Sequence, residues 1–292
     1  MMRARVQVSL LLILFIYPIT LFGQERAPFQ IGVCDWMILK RQKLGEFALT
    51  KEIGADGVEM DMGGLGYRVL WDNKLRDEST LQTFLNTLHE QGVAVASIAM
   101  SGFFAQNLLE RANYEELILD CLRLTKPFSA RVAFLPLGGS GKAWISPGEE
   151  HDEMVRRLRR AGELALSWGV TIGIRTGQDA CYDKSFLKEI GSEGIKVYFN
   201  MQDAADKGLD ICKELKRLGR DRICQIHASL TDSVTLDRDS RVDMVKVRKT
   251  LKKMGWTGWL VVERSRDAGR TRDVRYNFGT NVAYLKKIFQ HE

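Results

Sequence analysis

The stretch Val170-Thr-Ile-Gly-Ile-Arg-Thr176 is a short apolar run that predicts a buried parallel strand. It follows Gly169 and segment 149–168, in which apolar and charged residues recur at helical spacing. Glycine is common just past a helix end, so Gly169 marks the turn from a helix to this strand. A helix, a glycine and a buried strand therefore form the unit from which the fold can be inferred.

The same unit recurs along the chain. Strands are predicted at 30–34, 57–61, 93–100, 131–137, 170–176, 196–200, 223–229 and 259–264. Helices are predicted at 44–53, 79–91, 114–124, 149–168, 184–190, 209–218, 244–254 and 274–289. Strand–helix units repeated in this way across one domain, residues 28–292, predict an α/β fold, the (β/α)8 TIM barrel. A doubly wound sheet is the alternative, but its first strand should lead into a glycine-rich loop, and here it leads into Cys34-Asp35-Trp36.

Residues 1–23 have the composition of a secretory signal peptide. Arg3 and Arg5 give a basic start, residues 8–22 are almost entirely apolar, and Gly23 precedes a polar residue. We expect cleavage near Gly23, and hence a periplasmic or secreted domain without a stable membrane anchor. An uncleaved anchor is the alternative, although the apolar run is short for a membrane span.

The charge and the cysteines favour neither a nucleic-acid partner nor a disulfide framework. The formal net charge is +6, and segments 156–160 and 246–253 place their basic residues at helical spacing among apolar ones, which is typical of solvated helix faces. The 5 cysteines show no CxxC pair and no zinc-motif spacing, so we expect most of them to be small buried side chains.

In a TIM barrel the functional groups lie at the carboxyl ends of the strands. The polar or aromatic residues near the predicted strand ends are Asp35, Trp36, Glu59, Asp61, Arg175, Asn200, Asp203, His227, Glu263 and Arg264. Glu263 follows an apolar run, where a carboxylate must be paired or bound. Glu59 either binds substrate or pairs with a neighbouring cation, and Trp36 either stacks on a sugar or packs in the core. The glycine-rich run 138–142 lacks the spacing of a phosphate loop.

Several segments carry a resemblance to a known family: Ile31-Gly-Val-Cys-Asp-Trp36, Gly57-Val-Glu-Met-Asp61, Val197-Tyr-Phe-Asn200, Arg222-Ile-Cys-Gln-Ile-His227 and 254–267. In them the chain resembles the sugar phosphate isomerase/epimerase superfamily, the xylose isomerase-like TIM barrels to which endonuclease IV is related. The resemblance extends over the whole mature chain, and it is strongest to exported members common in Bacteroidetes. It implies a barrel that acts on a sugar.

The resemblance also implies a metal site. In the family, strands five to eight each offer one ligand in the order Glu, Asp, His, Glu. The metal polarises the sugar carbonyl, and glutamates move the proton on the adjacent carbon. Matched by position, His227 and Glu263 are retained, Asn200 stands at the second position and Arg175 at the first. If a manganese, zinc or magnesium ion is retained, its ligands are His227, Glu263 and Asn200.

Arg175 changes that expectation. A guanidinium about 4 Å from a divalent ion is repelled by roughly 8 kcal/mol at an effective dielectric constant of about 20. Arginine does not lose its proton to escape such repulsion. We therefore expect that no metal ion binds in the family manner, and that Arg175 takes its place and pairs with Glu263 and Asp203.

The resulting hypothesis is an enzyme that abstracts a proton next to a sugar carbonyl, with Glu263 as base, His227 orienting or donating, and Arg175 stabilising the oxyanion. The predicted substrate-binding residues, for a sugar or keto-sugar, are Glu59, Asp203, Trp36 and Arg264. A keto-sugar lyase and a non-catalytic carbohydrate-binding barrel are the alternatives. DNA repair of the endonuclease IV type is disfavoured because it needs several histidines at strand ends, and no nucleic-acid partner is expected.

Overall fold

The computed structural model describes residues 27–139 and 141–291, so the predicted signal peptide 1–23 lies outside the described residues. Parallel strands form a closed barrel in which each strand pairs with its neighbours in the chain and the first pairs with the last. The strands are β1 (Phe29–Cys34), β2 (Gly57–Asp61), β3 (Ala94–Ala99), β4 (Val132–Pro136), β5 (Thr171–Arg175), β6 (Ile195–Asn200), β7 (Ile223–His227) and β8 (Gly258–Val262). The predicted (β/α)8 TIM barrel is confirmed, and each predicted strand is present.

Helices surround the barrel. They are α1 (Gly45–Glu52), α2 (Glu78–Gln91), α3 (Tyr114–Thr125), α4 (Glu149–Ser167), α5 (Ala180–Ile190), α6 (Met201–Asp206), α7 (Ile211–Leu218), α8 (Met244–Met254) and α9 (Val274–Gln290). Helix α5 begins earlier than the sequence predicts because the Asp179 side chain caps it, accepting from the Tyr182 amide at 2.8 Å. Helix α6 was not predicted at all. None of the described helices is long and apolar enough to cross a membrane.

Two helices show how glycine directs the chain back to the barrel. Gly191 follows α5 with φ 64° and Gly255 follows α8 with φ 68°, both in the left-handed region. The Gly191 amide donates to the Leu187 carbonyl at 3.0 Å, which closes the last turn. A residue with a side chain would be strained at either position, so these glycines end the helices and lead into β6 and β8.

The side chains alternate between two environments along each strand. In β2, the apolar Val58 and Met60 point outward and belong to the core cluster between the strands and the helices. Glu59, between them, points into the barrel and is fully buried. The barrel interior also holds the aromatic rings of Phe134 and Tyr198, whose centroids are 4.6 Å apart. The barrel interior therefore encloses a buried carboxylate beside aromatic rings.

Candidate active site at the barrel mouth

A cavity of about 640 Å³ opens at the carboxyl ends of the strands. Its lining includes several residues that the sequence analysis selected, namely Trp36, Arg175, Asp203, Glu263 and Arg264. The cavity is also lined by residues that the strand-end rule does not predict, namely Arg41, Ser101, Phe104, Lys142 and Gln202. Glu59, Asn200 and His227 do not line the cavity, because they lie buried beneath it.

Arg175 ends β5 and is held in one orientation by two acidic residues. Its Nε and Nη2 donate to the two carboxylate oxygens of Asp203 at 2.8 and 2.7 Å, and its Nη1 lies 3.4 Å from Glu263 Oε2. Its guanidinium carbon lies 5.5 Å from the centroid of the Phe104 ring. Burial opposes the charge, but the Asp203 hydrogen bonds and the Glu263 charge outweigh burial and raise the pKa of Arg175. Arg175 is therefore a fixed cation in the cavity wall.

Glu263 follows β8, and donors surround one of its oxygens. Glu263 Oε2 accepts from Asn200 Nδ2 at 3.2 Å, lies 3.4 Å from Arg175 Nη1, and lies 3.7 Å from His227 Nδ1. Its backbone amide donates to Ser229 Oγ at 3.2 Å, which fixes the start of the loop after β8. Glu263 Oε2 is thus held in place by the Asn200 amide and the Arg175 guanidinium, with the His227 ring beside it.

Glu59 and His227 form a buried pair across the barrel. His227 Nε2 lies 2.9 Å from Glu59 Oε1, and both side chains are fully buried. Glu59 Oε2 accepts from Ser97 Oγ at 2.5 Å and from the Tyr198 hydroxyl at 2.8 Å. Burial alone would raise the pKa of Glu59, but the His227 charge and these hydrogen bonds outweigh burial and lower it. The pair holds the His227 ring so that its Nδ1 faces Glu263.

Cys34, the last residue of β1, lies against this pair, whereas its sequence context predicts only a small packing residue. Its Sγ lies 3.4 Å from Glu59 Oε1 and 3.9 Å from His227 Nε2. Burial raises the pKa of the Cys34 thiol well above its ordinary value. The sulfur, oxygen and nitrogen atoms of Cys34, Glu59 and His227 are close enough to bind one metal ion jointly. Cysteine spacing gave no signal, because the three residues come from β1, β2 and β7.

Comparison with known sequences and structures places the chain in a family. The sequence profile of the xylose isomerase-like TIM barrel matches residues 47–288. The chain belongs to this family. No match was found among curated protein sequences.

Several solved structures of sugar epimerases and isomerases share this fold. D-psicose 3-epimerase from Clostridium cellulolyticum, solved with D-tagatose, has a TM-score of 0.69 at 12% identity and covers 89% of this chain and 99% of its own. D-allulose 3-epimerase from Methylomonas sp., solved with D-allulose, has a TM-score of 0.66 at 15% identity, covering 90% and 98%. A sugar phosphate isomerase/epimerase from Parabacteroides distasonis has a TM-score of 0.68 at 12% identity, covering 92% and 98%. Identities this low show a shared fold only.

The four positions that the family resemblance assigns to a metal ion do not offer lone pairs to one point in this chain. Asn200 Oδ1 accepts from the backbone amides of Gln202 and Asp203 at 2.8 and 3.3 Å, where it caps α6. Its Nδ2 faces Glu263, so the amide presents hydrogens where a ligand would present an oxygen. Arg175 supplies a guanidinium and no lone pair. The residues present therefore do not fit the family's metal ion.

A second acidic cluster lies beside the cavity. Asp35 Oδ2 accepts from the backbone amide of Asp61 at 3.1 Å, and Glu46 in α1 is fully buried nearby. Arg41 Nε lies 3.1 Å from Asp61 Oδ1 and is the cation that links this cluster to the cavity. Burial raises the pKa of Asp61 to about 7, aided by the Asp35 charge, and raises that of Asp35 to about 6. Burial and the Asp35 charge raise the pKa of Glu46 well above its usual value.

This cluster should make stability depend on pH. Asp35 and Asp61 keep their protons to about pH 6 and 7 when folded, but ionise near pH 4 when unfolded. The unfolded chain therefore binds fewer protons between these values, and the free energy of unfolding should fall as pH rises from 4 to 7. Glu46→Gln should reduce that fall and stabilise the protein at pH 8 by on the order of 1–3 kcal/mol.

Urea unfolding at several pH values measures this effect. Glu90→Gln, an exposed change in α2, is the matched control and should leave the pH dependence unchanged. Equal slopes for the wild-type protein and Glu46→Gln would show that Glu46 does not contribute to the pH dependence, and a flat profile for the wild-type protein would show that Asp35 and Asp61 do not titrate in this range.

Proposed function

We propose that the chain is a sugar isomerase/epimerase-like enzyme that moves a proton on the carbon next to a sugar carbonyl, without a metal ion at the strand ends. The observation that carries this proposal is the pairing of Arg175 with Asp203, which holds a cation beside Glu263 in the cavity wall. A fixed cation can stabilise the oxygen on which negative charge develops, as a metal ion does in relatives.

The proposed chemistry assigns one role to each group. Glu263 takes the proton from the carbon beside the carbonyl, and the electron pair moves to the carbonyl oxygen to form an enediolate. Arg175 stabilises the negative oxygen. Glu263 then returns the proton. His227 positions Glu263 from below the cavity, because its Nδ1 faces that carboxylate and its other nitrogen is fixed by Glu59.

The geometry favours isomerisation over epimerisation. A single base can return the proton to the neighbouring carbon on the same face. The hydroxyl proton moves directly between the two adjacent enediolate oxygens in the same step, so that an aldose and a ketose interconvert. Epimerisation at one carbon needs a second proton donor on the opposite face. Among the described lining residues, the only other carboxylate is Asp203, and Arg175 engages both of its oxygens.

The cavity wall supports a sugar as the substrate class. The Trp36 indole offers an apolar face on which a sugar ring can stack, and Arg264 and Asp203 offer hydrogen-bonding groups for hydroxyls. The related structures solved with D-tagatose and D-allulose support the same class. Glu59 lies below the wall and would influence the substrate only through His227. No nucleic-acid partner is proposed.

Proton transfer can be tested directly by incubating the purified protein with aldo- and keto-sugars in deuterium oxide. NMR should show product together with deuterium at the carbon next to the carbonyl. Loss of a substituent as the product forms would indicate the keto-sugar lyase instead.

Calorimetry on the same sugars separates catalysis from binding. Binding without turnover or exchange would favour the carbohydrate-binding barrel. The ion pair between Arg175 and Glu263 is compatible with that alternative, because it occupies the proposed base.

We also propose that the domain acts outside the cytoplasm. The basic start and apolar run of residues 1–23 support this proposal. Export implies free sugars as substrates, because sugar phosphates are chiefly cytoplasmic. Intact-mass measurement of protein recovered from the periplasm or medium should give a chain that begins after Gly23. Exported protein that still carries Met1 would contradict cleavage.

A further inference from the structure

We propose that Cys34, Glu59 and His227 bind a zinc ion inside the barrel, one layer below the cavity. This site shares His227 with the strand-end position that the family resemblance assigns to a metal ion, but its other ligands come from β1 and β2. It can be tested without any substrate, so its failure would not affect the proposed sugar chemistry.

The distances between the donor atoms fit a zinc ion. Cys34 Sγ lies 3.4 Å from Glu59 Oε1 and 3.9 Å from His227 Nε2, and the last two atoms are 2.9 Å apart. Zinc lies about 2.3 Å from thiolate sulfur and about 2.0–2.2 Å from nitrogen or oxygen, so tetrahedral geometry places such donors roughly 3.3–3.5 Å apart. Each separation would change by about 0.4 Å or less to admit the ion. Three protein ligands are the usual number where the fourth position is left open.

The charges also balance. A Cys34 thiolate and a Glu59 carboxylate together neutralise a divalent ion, and His227 binds as a neutral ring. All three side chains are fully buried, and buried charges persist where they are paired or coordinate a metal. Thiolate and imidazole are ligands that select zinc over magnesium or manganese.

The surroundings orient the ligands as they do around known metal centres. The second oxygen of Glu59 is fixed by Ser97 and Tyr198, so Oε1 is left for the ion. The free nitrogen of His227, Nδ1, faces the Glu263 carboxylate at 3.7 Å, and a carboxylate beside the free nitrogen of a ligating histidine is a common arrangement. Gln225 Nε2 donates to Ser97 Oγ and to the Tyr198 hydroxyl, each at 2.9 Å. The buried Oε1 of Gln225 has no hydrogen-bond partner.

Arg175 does not oppose an ion at this depth as it does at the strand ends. Its described contacts are with Asp203, Glu263 and Phe104, and Glu263 stands between it and His227. Trp36, which lines the cavity, packs against the cluster that contains Cys34, so an ion entering from the mouth would pass this side chain. A zinc ion on His227 Nε2 would keep the proton on Nδ1, where it faces Glu263.

Cobalt substitution gives a direct test. The purified protein is stripped with a chelator and titrated with Co²⁺, which replaces zinc and shows a thiolate-to-cobalt charge-transfer band when sulfur is a ligand. We expect that band to saturate at about one equivalent per chain and to disappear when zinc is added. Zinc should also raise the thermal midpoint of the wild-type protein.

Matched cysteine variants decide which sulfur is involved. Cys34→Ser should remove the band and weaken zinc binding by more than about a hundredfold, since outer partners alone are worth about ten- to a hundredfold. Cys121→Ser changes another fully buried cysteine, in α3, and should keep both. Glu59→Gln, with its cysteines intact, should weaken zinc binding as well. No band in the wild-type protein, or a band that survives Cys34→Ser, would overturn the proposal.

Discussion

Glu263→Gln is expected to lower turnover by about a hundred- to ten-thousandfold, the range over which a positioned acid–base group contributes. The amide is nearly the same size as the carboxylate, and its oxygen can still accept from Asn200 and Arg175, so the substrate should still bind. The loss should therefore appear in kcat, with KM changed by much less. Initial rates on the best sugar of the panel, with solvent-deuterium exchange, measure it.

The control for this substitution makes the same chemical change outside the mouth. Glu153→Gln removes a carboxylate on α4 that pairs with Arg156 and Arg157, and it should leave kcat within about twofold. Glu263→Asp keeps the charge but withdraws it from the cavity, so an intermediate rate is expected. Wild-type turnover in Glu263→Gln would show that another group is the base.

The barrel could be predicted because its evidence is local. Each strand is a short apolar run, and glycines such as Gly191 and Gly255 end the helices that precede strands. The strand-end rule then brought Arg175, Asp203 and Glu263 to one mouth, and the structure shows the pairing of Arg175 with both acids. A register error would have moved these residues to other faces of the barrel.

The interior of the site could not be predicted, because its contacts join distant strands. His227 and Glu59 are 168 positions apart, and no spacing rule links a residue of β2 to one of β7. Cys34 was expected to be a small buried residue, which is true of its burial, but its neighbours are polar. Asn200 was considered as a weak ligand, whereas its oxygen caps a short helix that the sequence analysis missed. Whether Asn200 binds a metal ion and whether Glu59 binds substrate stay predictions.

Arg175→Glu is expected to improve manganese binding by more than tenfold, about 1.4 kcal/mol. The substitution removes a cation from beside Glu263 and adds an anionic oxygen ligand. It also releases Asp203 from its paired hydrogen bonds with the guanidinium. Asn200 limits the gain, because its Oδ1 remains occupied at the start of α6. Manganese is the appropriate probe because it prefers oxygen ligands, and so does not report on Cys34.

Arg175→Met separates the two causes, because it removes the charge without supplying a ligand and should give a smaller gain. Without a metal ion, Arg175→Glu leaves Asp203 and Glu263 unpaired beside a third carboxylate, so the protein should be less stable than the wild type. Manganese should then raise the thermal midpoint of this variant more than that of the wild-type protein. Calorimetric titration and thermal unfolding of the three proteins measure both effects. Tight manganese binding by the wild type, weakened in Arg175→Glu, would mean that Arg175 does not occupy the place of the family's metal.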